Sequence, residues 1–141
     1  VNIIKYLVKK GIPVMGHVGL MPQTSTNFKV KGKNFVQKKQ IFNDALAISN
    51  SGAFAIIIEC VVENLARKIT KSVSIPTIGI GASGYCDGQI LVTEDMLGLS
   101  DFSPKFVKQY ANLNKIMEKS IKNYVKDVKM RRFPSFKNVY R

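Results

Sequence analysis

Glu59 closes the apolar run Ala53-Phe54-Ala55-Ile56-Ile57-Ile58, and His17, the single histidine of the chain, follows Ile12-Pro13-Val14-Met15-Gly16. An uninterrupted apolar run of this kind reads as a strand covered on both faces, so an acid at its exit is held rigidly where apolar surroundings oppose ionisation. A carboxyl placed in that way can act as a general base. Both titratable groups leave the C-terminal end of a predicted strand, which is the end where parallel α/β folds collect their chemistry. Plainer assignments compete with this one. Glu59 would also serve as a cap for the next helix or as the partner of a nearby lysine, and a histidine beside glycine has structural uses.

The other acids are easier to place on surfaces. Glu63 falls in the first turn of a predicted helix, where negative charge is favoured by the macrodipole. Glu94 and Asp95 lie in a helix-like stretch, and Asp44 sits beside Lys39 and Gln40 on a solvated helix face. The two cysteines, Cys60 and Cys86, form neither a CxxC pair nor a ligand cluster with the one histidine, so they read as small buried thiols in a reducing cytoplasm.

The elements that position these groups alternate. Residues 2–10 predict a helix with Ile3, Ile4, Leu7 and Val8 on one side and Gly11 as its stop, followed by a strand at 12–17. A polar loop spans 19–34. Residues 35–50 predict a helix with Ile41, Ala45, Leu46 and Ile48 inward, then a strand at 53–59, a helix at 61–72 and a strand at 75–80. The turn Gly79-Ile80-Gly81-Ala82-Ser83-Gly84 is a weak phosphate-site signal, and close backbone packing explains it as well. Asp87 predicts an N-cap for a helix over 88–98, although Ile90, Val92 and Thr93 suit a strand equally. Strand–helix alternation favours the helix and moves the last strand to 106–110, ahead of a final helix over 113–130. Residues 1–133 are expected to form one partial barrel domain and 134–141 a loose tail.

Composition narrows the class. With 141 residues, 45% hydrophobic, and no apolar run of membrane-spanning length, one cytoplasmic domain without a signal peptide or membrane partner is expected. The net charge of +13 raises the alternative of a basic nucleic-acid-binding module. Most of the basic residues are lysines without an arginine cluster or a recognised nucleic-acid motif. Lys115, Lys119, Lys122, Lys126 and Lys129 recur at helical spacing opposite Ile116, Ile121, Tyr124, Val125 and Val128, which is the pattern of a solvated helix face. No nucleic-acid partner is therefore expected.

Several longer motifs occur in order: Gly16-His17-Val18-Gly19-Leu20-Met21-Pro22-Gln23-Thr24, Phe28-Lys29-Val30-Lys31-Gly32-Lys33, Glu59-Cys60-Val61, Ile75-Pro76-Thr77-Ile78-Gly79-Ile80-Gly81-Ala82-Ser83 and Cys86-Asp87-Gly88-Gln89-Ile90-Leu91-Val92. In order and spacing they resemble the C-terminal half of the ketopantoate (3-methyl-2-oxobutanoate) hydroxymethyltransferases of pantothenate biosynthesis. Between Gln23 and Phe28 the chain departs from that pattern, being about three residues short and lacking the usual paired glycines. The segment Arg132-Phe133-Pro134 with Phe136 resembles a worn form of the family's closing segment.

The resemblance implies an α/β fold, the C-terminal half of a (βα)8 TIM barrel, with about the last four strand–helix units. It implies transfer of a hydroxymethyl group from 5,10-methylenetetrahydrofolate to 3-methyl-2-oxobutanoate, giving 2-dehydropantoate. Glu59 matches the proton-abstracting carboxylate, and His17 matches a histidine of the keto-acid pocket. The Mg2+ of the family is bound by aspartates of the N-terminal half, which have no counterpart here, so the metal ligands assigned to this chain are none. A complementary N-terminal half supplied by another chain, or a homo-oligomer, is the implied partner. The competing reading is a non-catalytic remnant of a split or decayed gene, inactive alone. Length argues the same way, since a complete barrel takes roughly 250 residues.

Overall fold

In a computed structural model, residues 1–22 and 29–140 are described. The shortened segment between Gln23 and Phe28 lies outside the described residues. Contacts divide the chain into two compact units, Val1–Ile90 and Leu91–Arg141.

The first unit alternates helix and strand: α1 Asn2–Lys9, β1 Met15–Gly19, α2 Phe35–Ser49, β2 Ala55–Glu59, α3 Glu63–Ser72, β3 Thr77–Ile80 and β4 Gly88–Gln89. The strands form one parallel sheet in the order β1-β2-β3-β4, so each connection crosses through a helix or a long loop. This is an α/β fold consistent with half a TIM barrel.

Each boundary has a local cause. α1 ends at Gly11 (φ +77°), whose N–H donates to the Val8 carbonyl while that of Ile12 donates to the Leu7 carbonyl. This is the paired bonding of a left-handed glycine cap. Asn34 begins α2 by accepting from the Gln37 N–H at 2.9 Å. On the helix-facing side of the sheet, Ile56 and Ile58 are fully buried with Ile69 and Ala66 of α3, and Val18, Ala45 and Ile48 complete the same core. α2 comes so close to β1 that a β-carbon at Gly16 would lie 2.2 Å from Ile48 Cγ2.

Several sequence expectations are corrected. β1 occupies 15–19 rather than 12–17, because the backbone joins the ladder only after Pro13, so His17 stands mid-strand. Phe54, expected inside the buried run, precedes β2 and is 50% exposed. The predicted helix over 88–98 is divided: Gly88 and Gln89 pair with Ile78 and Gly79 as β4, and only Thr93–Met96 is helical, as α4. The bonds of Asp87 to Thr77, which place Gly88 beside β3, override the alternation argument. Asp87 caps no helix. Its carboxylate accepts from both the N–H and the hydroxyl of Thr77 at 2.8 Å, and its own N–H donates to Thr77 Oγ1, fixing the start of β4 beside β3.

The second unit holds α4 and α5 Leu113–Lys129, with a 3-10 turn at Phe136–Asn138 capped by Ser135. Residues 106–110 are no strand. Val107 N–H turns back to the Pro104 carbonyl and Tyr110 N–H bonds the Met96 carbonyl, so Pro104 starts a turn that uses the donors a ladder would need. No residue of α5 is buried, and its lysines are accompanied by an ion pair of Lys122 with Glu118. Among the described residues no helix is long and apolar enough to cross a membrane.

Candidate active site

β1 and β2 run parallel with Gly19 opposite Glu59 and His17 opposite Ile57. Side chains alternate across a strand, so His17 and Glu59 stand on one face, one pleat apart on neighbouring strands. Val18, Ile56 and Ile58 point the other way, into the helix-covered core. The diagonal pair meets: His17 Nε2 lies 3.1 Å from Glu59 Oε2. The side chains are 29% and 16% exposed, which leaves both open to a small molecule while limiting water around the carboxylate. With the proton on Nε2, the imidazole donates to Oε2 and holds the carboxylate in one orientation, leaving Oε1 without a bond from this ring.

Gly19 makes that approach possible. It closes β1 at φ +103°, and a β-carbon there would lie 2.1 Å from the Glu59 carbonyl oxygen. The Leu20 N–H donates to this carbonyl at 2.9 Å. Beyond Glu59 the chain enters a left-handed conformation at Cys60 (φ +49°), whose N–H donates to the Ile80 carbonyl. Burial, followed by the neighbouring Glu59 charge, pushes the Cys60 thiol above its ordinary pKa. Cys60 and Cys86 are free and buried, in keeping with small packed thiols.

A cavity of about 390 Å³ opens along β1, with His17 and Gly19 in its wall together with Val18, Ile48, Lys31 and Asp44; Glu59 is not among its described lining residues. Asp44, assigned by sequence to a solvated face, thus borders this cavity. Glu63 begins α3 as expected and also accepts from Ser83 Oγ at 3.2 Å, which ties the turn after β3 to that helix. Glu94 is in the first turn of α4. Among the described residues no three His, Cys, Asp or Glu side chains come together to hold a metal ion.

Sequence reasoning did not single out Lys31 or Gly19. Lys31 reaches the site through a bridge to Val61, with its N–H donating to the Cys60 carbonyl and its carbonyl accepting from Val62 N–H. A glycine two residues after the histidine was the available sign of a close approach.

Residues 1–136 match the ketopantoate hydroxymethyltransferase family. The chain belongs to that family. Curated relatives agree along nearly its whole length. The 3-methyl-2-oxobutanoate hydroxymethyltransferase of Phenylobacterium zucineum is 52% identical over 143 residues, covering 99% of this chain and 52% of the relative. That of Bartonella quintana is 55% identical over 141 residues, covering 98% and 51%. That of Pelagibacter ubique is 48% identical over 140 residues, covering 99% and 54%. The chain therefore spans about half the length of the ketopantoate hydroxymethyltransferases it matches.

Proposed function

We propose that this chain carries the proton-abstracting half of a 3-methyl-2-oxobutanoate hydroxymethyltransferase site, with Glu59 as general base and His17 in the keto-acid pocket. The observation that carries the reading is the 3.1 Å contact between His17, midway along β1, and Glu59, the last residue of the parallel strand β2. Glu59 takes the proton from the carbon beside the ketone. As that C–H bond breaks, its electron pair passes into the enolate, whose carbon attacks the one-carbon unit of 5,10-methylenetetrahydrofolate, the proposed donor; the C–N bonds to that unit break to release tetrahydrofolate and water supplies the hydroxyl oxygen, giving 2-dehydropantoate as the proposed product. The fixed Oε2 and free Oε1 present a lone pair to the substrate without a rotamer search.

The described residues offer no metal-binding set, so the Mg2+ of the family reading would draw its ligands from a complementary half, which is also the proposed partner. A Lewis acid of that kind supplies polarisation of the ketone when bound. The pathway is pantothenate biosynthesis, and the place of action the cytoplasm.

Exchange of the C3 proton of 3-methyl-2-oxobutanoate with deuterated water, followed by NMR with this chain, a complementary N-terminal half and Mg2+, tests the reading. Glu59→Gln is expected to abolish exchange and retain keto-acid binding. Unchanged exchange in that variant removes Glu59 from the mechanism.

A further inference from the structure

Two non-glycine residues, Cys60 (φ +49°) and Arg131 (φ +56°), occupy the left-handed region among the described residues. Arg131 follows the exposed end of α5, whereas Cys60 is buried and directly follows Glu59. A side chain is disfavoured in that region, and such a conformation persists only where the surroundings over-determine it.

Separate segments of chain do so around Cys60. Its N–H donates to the carbonyl of Ile80, the last residue of β3, at 2.9 Å, and its carbonyl accepts from the Lys31 N–H at 2.7 Å. The preceding carbonyl, that of Glu59, accepts from the Leu20 N–H at 2.9 Å. Val61 then bridges Lys31 in parallel. Within one residue the chain thus passes from pairing with β3 to pairing with the segment beyond β1, and β2 stops at Glu59. With φ moved to a negative value, either the Cys60 N–H leaves Ile80 or its carbonyl leaves Lys31, and the strand end that carries Glu59 turns with it. The 3.1 Å contact of the carboxylate with His17 Nε2 has little slack, since roughly 0.5 Å more takes it beyond hydrogen-bond length.

The thiol itself is a passive neighbour. Burial, and then the Glu59 charge, push it above its ordinary pKa, so it stays neutral and brings no second negative charge to the carboxylate. We infer that Cys60 is a positioning residue for the proposed base, its left-handed backbone and not its sulfur aiming the Glu59 carboxylate at His17. That the aimed carboxylate removes a proton rests on the function proposed above, whereas the aim is measurable without it.

His17 is the single histidine, so ring 15N signals recorded by NMR on the full chain belong to one residue. Glu59→Ala gives the Nε2 signal of the broken contact. Cys60→Gly accepts a positive φ at no steric cost and is expected to keep the native Nε2 signal. Cys60→Val keeps a buried apolar side chain of similar size, but a β-branched residue is a genuine outlier at positive φ, and this variant is expected to give the Glu59→Ala signal. A thiol that merely packs predicts the reverse order, with valine tolerated and glycine damaging. In C3 proton exchange with a complementary half and Mg2+, Cys60→Val should lower kcat at least about tenfold with KM within about twofold, because a misplacement of about 1 Å costs on the order of 100-fold. Cys60→Gly should retain kcat. A native Nε2 signal in Cys60→Val, or the broken-contact signal in Cys60→Gly, overturns the inference, and the glycine variant decides alone if the valine variant does not fold. Absence of exchange in the unsubstituted chain refutes Glu59 as base and leaves the nitrogen signals to decide the role of Cys60.

Discussion

Gly19 is the position where adding one carbon tests the geometry of the site most directly. A β-carbon built there lies 2.1 Å from the Glu59 carbonyl oxygen and 2.6 Å from Val61 Cγ2, where ordinary contact begins at 3.4 Å. The first obstacle is backbone, so Gly19→Ala must push the exits of β1 and β2 apart by about 1 Å. A side chain at positive φ costs about 1–2 kcal/mol, and overpacking of this kind costs about 1–3 kcal/mol. Together the expected destabilisation is about 2–5 kcal/mol, a large fraction of the ~5–15 kcal/mol available to a domain. In urea, with a slope of about 2 kcal/mol per molar, the midpoint should fall by roughly 1–2.5 M. Two controls separate the causes. Gly11 has φ +77° with nothing within 4 Å of its added carbon, so Gly11→Ala should show the backbone cost alone. Gly84 has open space and no left-handed φ, so Gly84→Ala should stay within about 0.5 kcal/mol. The order Gly84, Gly11, Gly19 in increasing damage is required. If Gly19→Ala is no worse than Gly11→Ala, the close approach of the two strand exits is wrong.

Two further outcomes follow from the same structure. Asp87 is held below its ordinary carboxylate pKa by hydrogen bonds from Thr77, first from the backbone N–H and then from the hydroxyl. A depressed folded-state pKa stabilises the fold at pH above the unfolded value of about 3.9, and that contribution disappears as pH falls through the folded value. Thermal melts from pH 7 to pH 2.5 should show Asp87→Asn destabilised at neutral pH, with the gap to the native chain closing in the acid limb. Ile56 is fully buried between the sheet and its helices, so Ile56→Ala should cost about 2–5 kcal/mol in urea unfolding with little change of slope.

The order of elements up to β3 was legible because each run has one dominant local signal. Ile56 to Ile58 admit no exposed face, and Gly11 and Gly52 (φ +86°) stop helices where only glycine fits comfortably. The pairing of His17 with Glu59 was legible only as a shared end of two strands. Their contact depends on the register of β1 against β2, which no local pattern reveals. Past Gly84 local signals conflict. Gly88 to Thr93 carries both strand and helix preferences, and the outcome was decided by Thr77, ten residues upstream, through its bonds to Asp87. Lys31 was invisible for the same reason, since its bridge partner Val61 lies thirty positions further along the chain.

β1 lies at the rim of the sheet, with β2 as its sole strand partner among the described residues. Val14 and Leu20 bond toward β2, so in a parallel ladder the alternate residues Met15 and His17 turn their own amide and carbonyl groups outward. The residue that grips Glu59 thus also belongs to the row of outward main-chain groups that a further strand would pair with. Quaternary assembly along that rim would set the pose of the imidazole through its main chain, so subunit association and proton abstraction would answer to one and the same ladder.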